Sequence, residues 1–145
     1  MIALIQRVLE ASVHVDGEIV GRIGPGLLAL IGVRPEDDSK STARLLERVL
    51  GYRVFADEEG RMNRSLADTG GGLLLVPQFT LAADTKSGRR PSFSTAAAPE
   101  LATQRFDELV KFARAAHPDV ACGRFGAEMF VSLVNHGPVT FWLES

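Results

Sequence analysis

Ser12-Val13-His14-Val15-Asp16-Gly17-Glu18-Ile19-Val20-Gly21 reads as two short alternating strands around a two-residue turn. Asp-Gly between alternating apolar residues is the strongest local hairpin signal, because a type I′ turn needs positive φ at both central positions. Upstream, residues 2–8 form another expected strand. Downstream, Gly24-Pro25-Gly26 punctuates the chain before an apolar run at 27–33 that has the look of a buried strand.

Further out, Asp37, Asp38 or Ser39 supplies a helix cap, and Ala43, Leu46, Val49 and Leu50 recur at helical spacing. Residues 52–55 return to strand, 57–60 form a turn, and the polar, glycine-containing stretch 63–72 is expected to be loop. A buried strand follows at 73–79, with Pro77 near its end, where a missing N–H does least harm. A second helix is expected over 99–116, with Pro99 in its first turn and Ala102, Phe106, Leu109, Val110 and Ala113 on its apolar face. Pro118 stops it. Strands at 120–125, 128–134 and 139–143 complete the order βββ-α-ββ-α-βββ. Hairpins dominate and no regular βαβ alternation occurs. The fold class expected is therefore α+β (α/β): a single domain over residues 1–145, with mixed, mainly antiparallel, barrel-like sheets and two helices.

Composition narrows the function. Hydrophobic residues at 46% and charged residues at 23% match an ordinary folded domain. A net charge of −2 excludes a protein that coats nucleic acid indiscriminately, so no DNA partner is expected. Cys122 is the only cysteine, which rules out an internal disulfide and a thiolate metal cluster. The apolar N-terminus meets Arg7 within seven residues and lacks the form of a signal peptide, and no apolar run approaches a membrane span. The expected address is the cytoplasm, without membrane contact.

Familiar catalytic patterns are missing. There is no GxGxxG, no GxxxxGK[ST] and no GxSxG, and His14, His117 and His136 show no paired metal-ligand spacing. Neither metal nor cofactor is expected. Cys122, beside Gly123 in a strand, reads as a small core residue.

Two segments remain. Val76-Pro77-Gln78-Phe79-Thr80-Leu81 places an amide, an aromatic ring and a hydroxyl where a buried strand opens into a loop, a position where small-molecule pockets form; Thr80 equally suits the start of a turn. Asn135-His136-Gly137-Pro138-Val139-Thr140 reads either as a hairpin turn or as a rigid backbone wall, since glycine lets a ligand approach without a Cβ in the way and proline restricts φ. Lys86, Arg89 and Arg90 cluster in a loop-like stretch that serves either as solvated surface or as a phosphate contact.

Taken together, these residues resemble the D-aminoacyl-tRNA deacylase family, the type often called D-tyrosyl-tRNA deacylase. The resemblance covers the whole chain. It is carried by Met1-Ile2-Ala3-Leu4-Ile5-Gln6-Arg7-Val8, by Gln78-Phe79-Thr80-Leu81-Ala82-Ala83-Asp84-Thr85, by Arg90-Pro91-Ser92-Phe93-Ser94, and by Ser132-Leu133-Val134-Asn135-His136-Gly137-Pro138-Val139-Thr140-Phe141-Trp142-Leu143. It implies a homodimeric enzyme that hydrolyses the ester between a D-amino acid, or glycine, and the 3′ end of tRNA. It also implies that Gly137-Pro138 is cis and enters the partner subunit's pocket to exclude L side chains, with Asn135 in the same frame and Arg7 holding the segment. Gln78, Phe79 and Thr80 are implied at the reaction centre, and Phe125, Met129 and Ala102 around the terminal adenosine. One position departs: the family's usual serine before Gln78 is Pro77 here.

Two other readings stay open. A non-catalytic, homodimeric RNA-binding module accounts for the Lys86–Arg90 cluster and the lack of a side-chain triad. A small-molecule esterase with Thr80 as nucleophile requires an activating base, and neither segment carries a carboxylate or a histidine beside Thr80.

Overall fold

At the Asp16-Gly17 turn both residues are left-handed, with φ of 51° and 78°. The computed structural model describes residues 1–145. The turn joins strand β1 (Ile2–Val15) to β2 (Glu18–Ile23) in antiparallel register, with Val15 opposite Glu18. The chain continues through β3 (Gly26–Gly32), helix α1 (Ser39–Gly51), β4 (Phe55–Ala56), β5 (Met62–Arg64), the one-turn helix α2 (Leu66–Thr69) and β6 (Gly72–Pro77). After a 3₁₀ turn at Phe79–Ala82 come α3 (Pro99–Ala116), β7 (Val120–Cys122) and β8 (Phe130–Glu144).

The main sheet runs β2-β1-β3-β6-β7, with β8 on the other edge of β1. The β1 pairings are antiparallel, whereas β3–β6 and β6–β7 are parallel, so the sheet is mixed as expected. It curls into a nearly closed barrel: a Cβ placed on Gly21 of β2 would lie 2.7 Å from the Cys122 carbonyl oxygen of β7. β4 and β5 make a separate two-stranded ribbon.

The central strands β3 and β6 are buried on both faces, which explains their unbroken apolar runs. Ala3, Ile5, Leu27, Ala29, Ile31, Leu73 and Leu75 turn to the helices and meet Leu45 and Val49 of α1 and Phe106 and Leu109 of α3. The alternate positions Val8, Val13, Leu28, Leu74 and Val76 form a second core inside the curl. Both long helices fall where expected. Asp38 caps α1, its Oδ1 accepting from Ser41 N at 2.8 Å. The buried stripe of α1 is Thr42, Leu45, Leu46 and Val49, so Ala43 faces solvent instead of the core.

Several expectations need correction. The strands at 2–8 and 12–15 are one strand, because β8 pairs along nearly all of β1 and carries it across two register shifts. Residues 128–134 and 139–143 do not form a hairpin. Asn135–Thr140 lies inside the continuous β8, whose two halves both pair with β1, and a register irregularity near Val8 absorbs the interruption. The strand expected over 73–79 ends at Pro77, and that over 120–125 at Cys122. The strand expected at 52–55 shrinks to Phe55–Ala56.

The stretch 63–72 is not loop. It holds the end of β5 and all of α2, a third helix built on a reciprocal box in which Ser65 Oγ accepts from Asp68 N and Asp68 Oδ2 accepts from Ser65 N. Ser-x-x-Asp was the signal for it. Ser65→Ala removes the cap and is expected to cost about 1 kcal/mol, a fall of roughly 4 °C in melting temperature. A thermal melt by circular dichroism checks it; an unchanged midpoint would show that tertiary packing alone holds α2.

Candidate functional site

Gln78 stands where β6 leaves the sheet. Backbone N–H groups of alternate β6 residues point to opposite neighbours: Leu73 N donates to Asp119 O on the β7 side, and Gln78 N donates to Ile31 O of β3 at 2.7 Å. The missing donor of Pro77 therefore falls on the β7 side, beyond Cys122, where no strand remains to receive it. Released from one neighbour, the chain turns into the 3₁₀ segment, and Leu81 N donates back to Gln78 O at 3.2 Å. The first amides of such a turn, those of Phe79 and Thr80, have no partner within it.

Around this turn the structure opens two cavities. One, of about 490 Å³, lies between the barrel mouth and the start of α3 and brings together Gln78, Phe79, Ala102, Phe125 and Met129. Pro77, Pro99 and Val131 complete its apolar walls, and none of its lining side chains is titratable. The other, of about 760 Å³, lies on the far side of the turn, with Thr80 on its wall beside Arg34, Lys86 and Trp142. The side chain of Gln78 bridges the two, its Nε2 donating to Thr80 Oγ1 at 2.5 Å. Phe79 is half exposed and tilts against Phe93 with ring centroids 5.2 Å apart.

Sequence reasoning had missed Arg34, Phe93 and Trp142. At the end of β8, Leu143 is buried in the helix-side core while the Trp142 ring stays 48% exposed. Its indole Nε1 donates to Glu144 Oε1 at 2.9 Å, and Arg34 donates to the same oxygen at 2.6 Å. Those two bonds, the indole's first, hold the Glu144 carboxyl below its ordinary value, so it remains a charged anchor for both side chains at neutral pH.

The Asn135–Pro138 segment is exposed and tied to β1. Asn135 Nδ2 donates to the carbonyl oxygens of Arg7 and Val139, at 3.0 and 3.1 Å. Arg7 Nε donates to His136 O at 2.9 Å and its Nη1 to Val54 O at 2.5 Å. The Gly137-Pro138 bond is cis. Within one protomer this segment and Gln78–Thr80 do not meet: neither cavity at the turn is lined by any residue of 135–138. Asn135 pairs with Val8, whereas Gln78 bonds Ile31, which pairs with Ala3. That offset of five residues is about 17 Å along the strands.

Lys86, Arg89 and Arg90 lie in an exposed loop closed by paired backbone bonds between Asp84 and Ser92, at 2.8 and 3.0 Å. His117 is a buried helix cap whose Nε2 bonds Gly71 O at 2.6 Å, and no cluster of histidine, cysteine and carboxylate groups is spaced for a metal.

The family model for D-Tyr-tRNA(Tyr) deacylase matches residues 4–144. The chain belongs to this deacylase family. Proteins named D-aminoacyl-tRNA deacylase from Thioalkalivibrio sulfidiphilus and Xanthomonas campestris pv. campestris are 68% and 67% identical over 144 residues; both alignments cover 99% of this chain, with 97% and 99% of the relatives. One from Azotobacter vinelandii is 66% identical over 145 residues, the full length of both chains. Among solved structures, the c-Myc DNA unwinding element binding protein superposes with a TM-score of 0.95 at 37% identity, covering 100% of this chain and 99% of its own. A probable eukaryotic D-amino acid tRNA deacylase shares the fold, with a TM-score of 0.85 at 18% identity over 99% of this chain and 98% of its own. The deacylase family is one of ester hydrolases, and no helix of this member is long and apolar enough to cross a membrane.

Proposed function

We propose that this deacylase-family chain hydrolyses the ester between a D-amino acid, or glycine, and the 3′-terminal adenosine of tRNA, releasing free tRNA and amino acid in the cytoplasm. The observation that carries the mechanism is the chemistry of the turn: no titratable side chain lines the apolar cavity, and the Thr80 hydroxyl accepts from the Gln78 amide and donates to no carboxylate or histidine, Glu36 and Asp84 of the neighbouring cavity included. A hydroxyl without a base is a poor nucleophile. An aminoacyl ester is already reactive, so holding it in line for water is a sufficient task.

In this reading the terminal adenosine packs among Phe125, Met129 and Ala102. Gln78, Phe79 and Thr80 position the ester, with the amides of Phe79 and Thr80 donating to the developing oxyanion; each such donor contributes about 3 kcal/mol. The substrate's own ribose 2′-hydroxyl assists the attacking water. One bond breaks, the ester C–O; the water oxygen joins the carbonyl carbon and a proton passes to the departing ribose oxygen.

Chirality is read in trans, across a homodimer. The exposed Gly137-Pro138 segment of one subunit enters the other's pocket, its backbone carbonyls meeting the substrate α-amino group and leaving no room for an L side chain. Three facts support this: the segment projects as exposed backbone, Arg7 and Asn135 brace it, and it stands too far from Gln78 of its own chain to serve there. Lys86, Arg89 and Arg90 contact tRNA phosphates.

Purified protein is expected to release amino acid from D-Tyr-tRNA and Gly-tRNA and to leave L-Tyr-tRNA intact. Thr80→Ala is expected to retain deacylation within about tenfold, since it loses an orienting contact of about 1 kcal/mol and no nucleophile. Complete loss in a folded variant would assign the attack to Thr80. No release by the wild type, with tRNA still bound, would leave a binding module.

A further inference from the structure

The apolar cavity has a neighbour. Another groove, of about 400 Å³, runs between α3 and the chain leaving β7, and Phe125 lines both. The wall between them is thin. A Cβ on Gly123, which lines the groove, would lie 2.8 Å from Met129 Sδ and 3.4 Å from Pro77 Cδ, both atoms of the apolar cavity's lining residues. The groove is basic: Lys111 and Arg114 project from α3, Arg124 from the opposite bank, and Asp107 is the single carboxylate among the lining side chains. All three cations are exposed and none forms an ion pair, although the protein as a whole carries a net charge of −2. Arg114 is oriented by a contact from Nη2 to Cys122 Sγ at 3.7 Å.

We infer that this groove takes the phosphates of the single-stranded RNA that leads into the apolar cavity. The inference rests on the proposed seating of the terminal adenosine. A nucleotide's 3′-ester and 5′-phosphate lie on opposite sides of its ribose. With the ester held at Gln78–Thr80, the 5′ chain leaves the cavity by another rim, and Phe125 is the rim residue the basic groove shares. Unpaired guanidinium and ammonium groups with one opposing carboxylate suit a polyanion threading past them. The Lys86–Arg90 loop does not reach the apolar cavity: Lys86 lines the Thr80 cavity on the other side of the turn, and the depression of about 200 Å³ at the loop's tip is lined only by residues 85 and 87–91.

The test compares wild type with the triple variant Lys111→Ala, Arg114→Ala, Arg124→Ala. Binding of a fluorescent, non-aminoacylated single-stranded RNA ending in CCA is followed by anisotropy across a salt series. The variant is expected to bind at least tenfold more weakly, with the slope of log K against log salt shallower by about 2, as three lost phosphate contacts on a single strand predict. In deacylation the KM for D-Tyr-tRNA rises while kcat stays within about twofold, and the D-tyrosyl ester of adenosine alone, which has no preceding phosphate, shows no such rise. Wild-type affinity and slope in a folded variant, or no RNA binding by the wild type, overturns the groove. Absence of hydrolysis with binding intact and groove-dependent would sink the deacylase reading alone, because the binding measurement involves no chemistry.

Discussion

Gly137→Ala is expected to lower kcat/KM for D-aminoacyl-tRNA by about 100-fold or more in a protein that still folds. A Cβ at this position would lie 2.4 Å from Asn135 Oδ1 and 2.5 Å from the Val139 backbone nitrogen. Both separations fall about 1 Å short of ordinary van der Waals contact, and a misplacement of about 1 Å in a positioning element costs a factor near 100. The Asn135 side chain cannot simply swing aside, since its amide is what ties Arg7 O to Val139 O across the segment. The backbone must therefore shift where the wall is meant to be rigid. Single-turnover release of amino acid from D-Tyr-tRNA reads the effect. Activity within threefold of wild type would remove the segment from the site.

The same variant tests whether the segment acts in trans. Mixed with a variant disabled at Gln78, it is expected to regain activity at about a quarter of the sites at equal mixing, because half of the dimers pair an intact pocket with an intact segment. No recovery after subunit exchange would place pocket and segment in one chain, contrary to the 17 Å offset estimated above from the strand register.

Gly26→Ala is expected to be the most damaging single substitution to stability. At the start of the β3–β6 pair, a Cβ on Gly26 would fall 1.9 Å from Gly72 O, 2.6 Å from Gly72 N and 2.7 Å from Gly72 C. All three are backbone atoms, so no side chain can rotate away. Overpacking a core commonly costs about 1–3 kcal/mol; a backbone collision at the root of the central parallel pair is expected to exceed about 4 kcal/mol. That is a large share of the roughly 5–15 kcal/mol that keeps a domain folded, and it lowers the melting temperature by more than about 10 °C. Gly24→Ala is the control, with open space at its Cβ and no left-handed φ; it is expected to stay within about 0.5 kcal/mol. Equal midpoints for the two variants would refute the close approach.

Local chemistry was legible at most places where a signal is complete within a few residues, the Ser65-x-x-Asp68 box in a stretch expected to be loop being the exception. Asp16-Gly17 carries its own turn, Asp38 its own cap, and residues 99–116 their own apolar face; each takes the expected form. The apolar runs in β3 and β6 announced strands buried on both faces. The Gln78–Thr80 and Asn135–Thr140 motifs were visible because few other places join amide, hydroxyl and bare backbone at the end or interruption of a strand.

What stayed hidden depended on partners distant in sequence. Asn135–Pro138 resembles a turn in isolation, and only the second half of β8 returning to the same strand β1 keeps it inside the sheet. Trp142 entered the Thr80 cleft because β8 lies beside β1, where its partner is Leu4 near the other end of the chain, and nothing near Trp142 encodes that neighbour. The basic groove beside Phe125 arises from Lys111 and Arg114 on α3 meeting Arg124 after β7, three charges that no single stretch of sequence groups as a patch. The sequence alone determined the two long helices, the Asp16-Gly17 turn and the buried central strands, and which residues were chemically unusual. Tertiary structure decided which of them share a cavity, because pairing register and sheet closure are sums over long-range contacts that no short window contains.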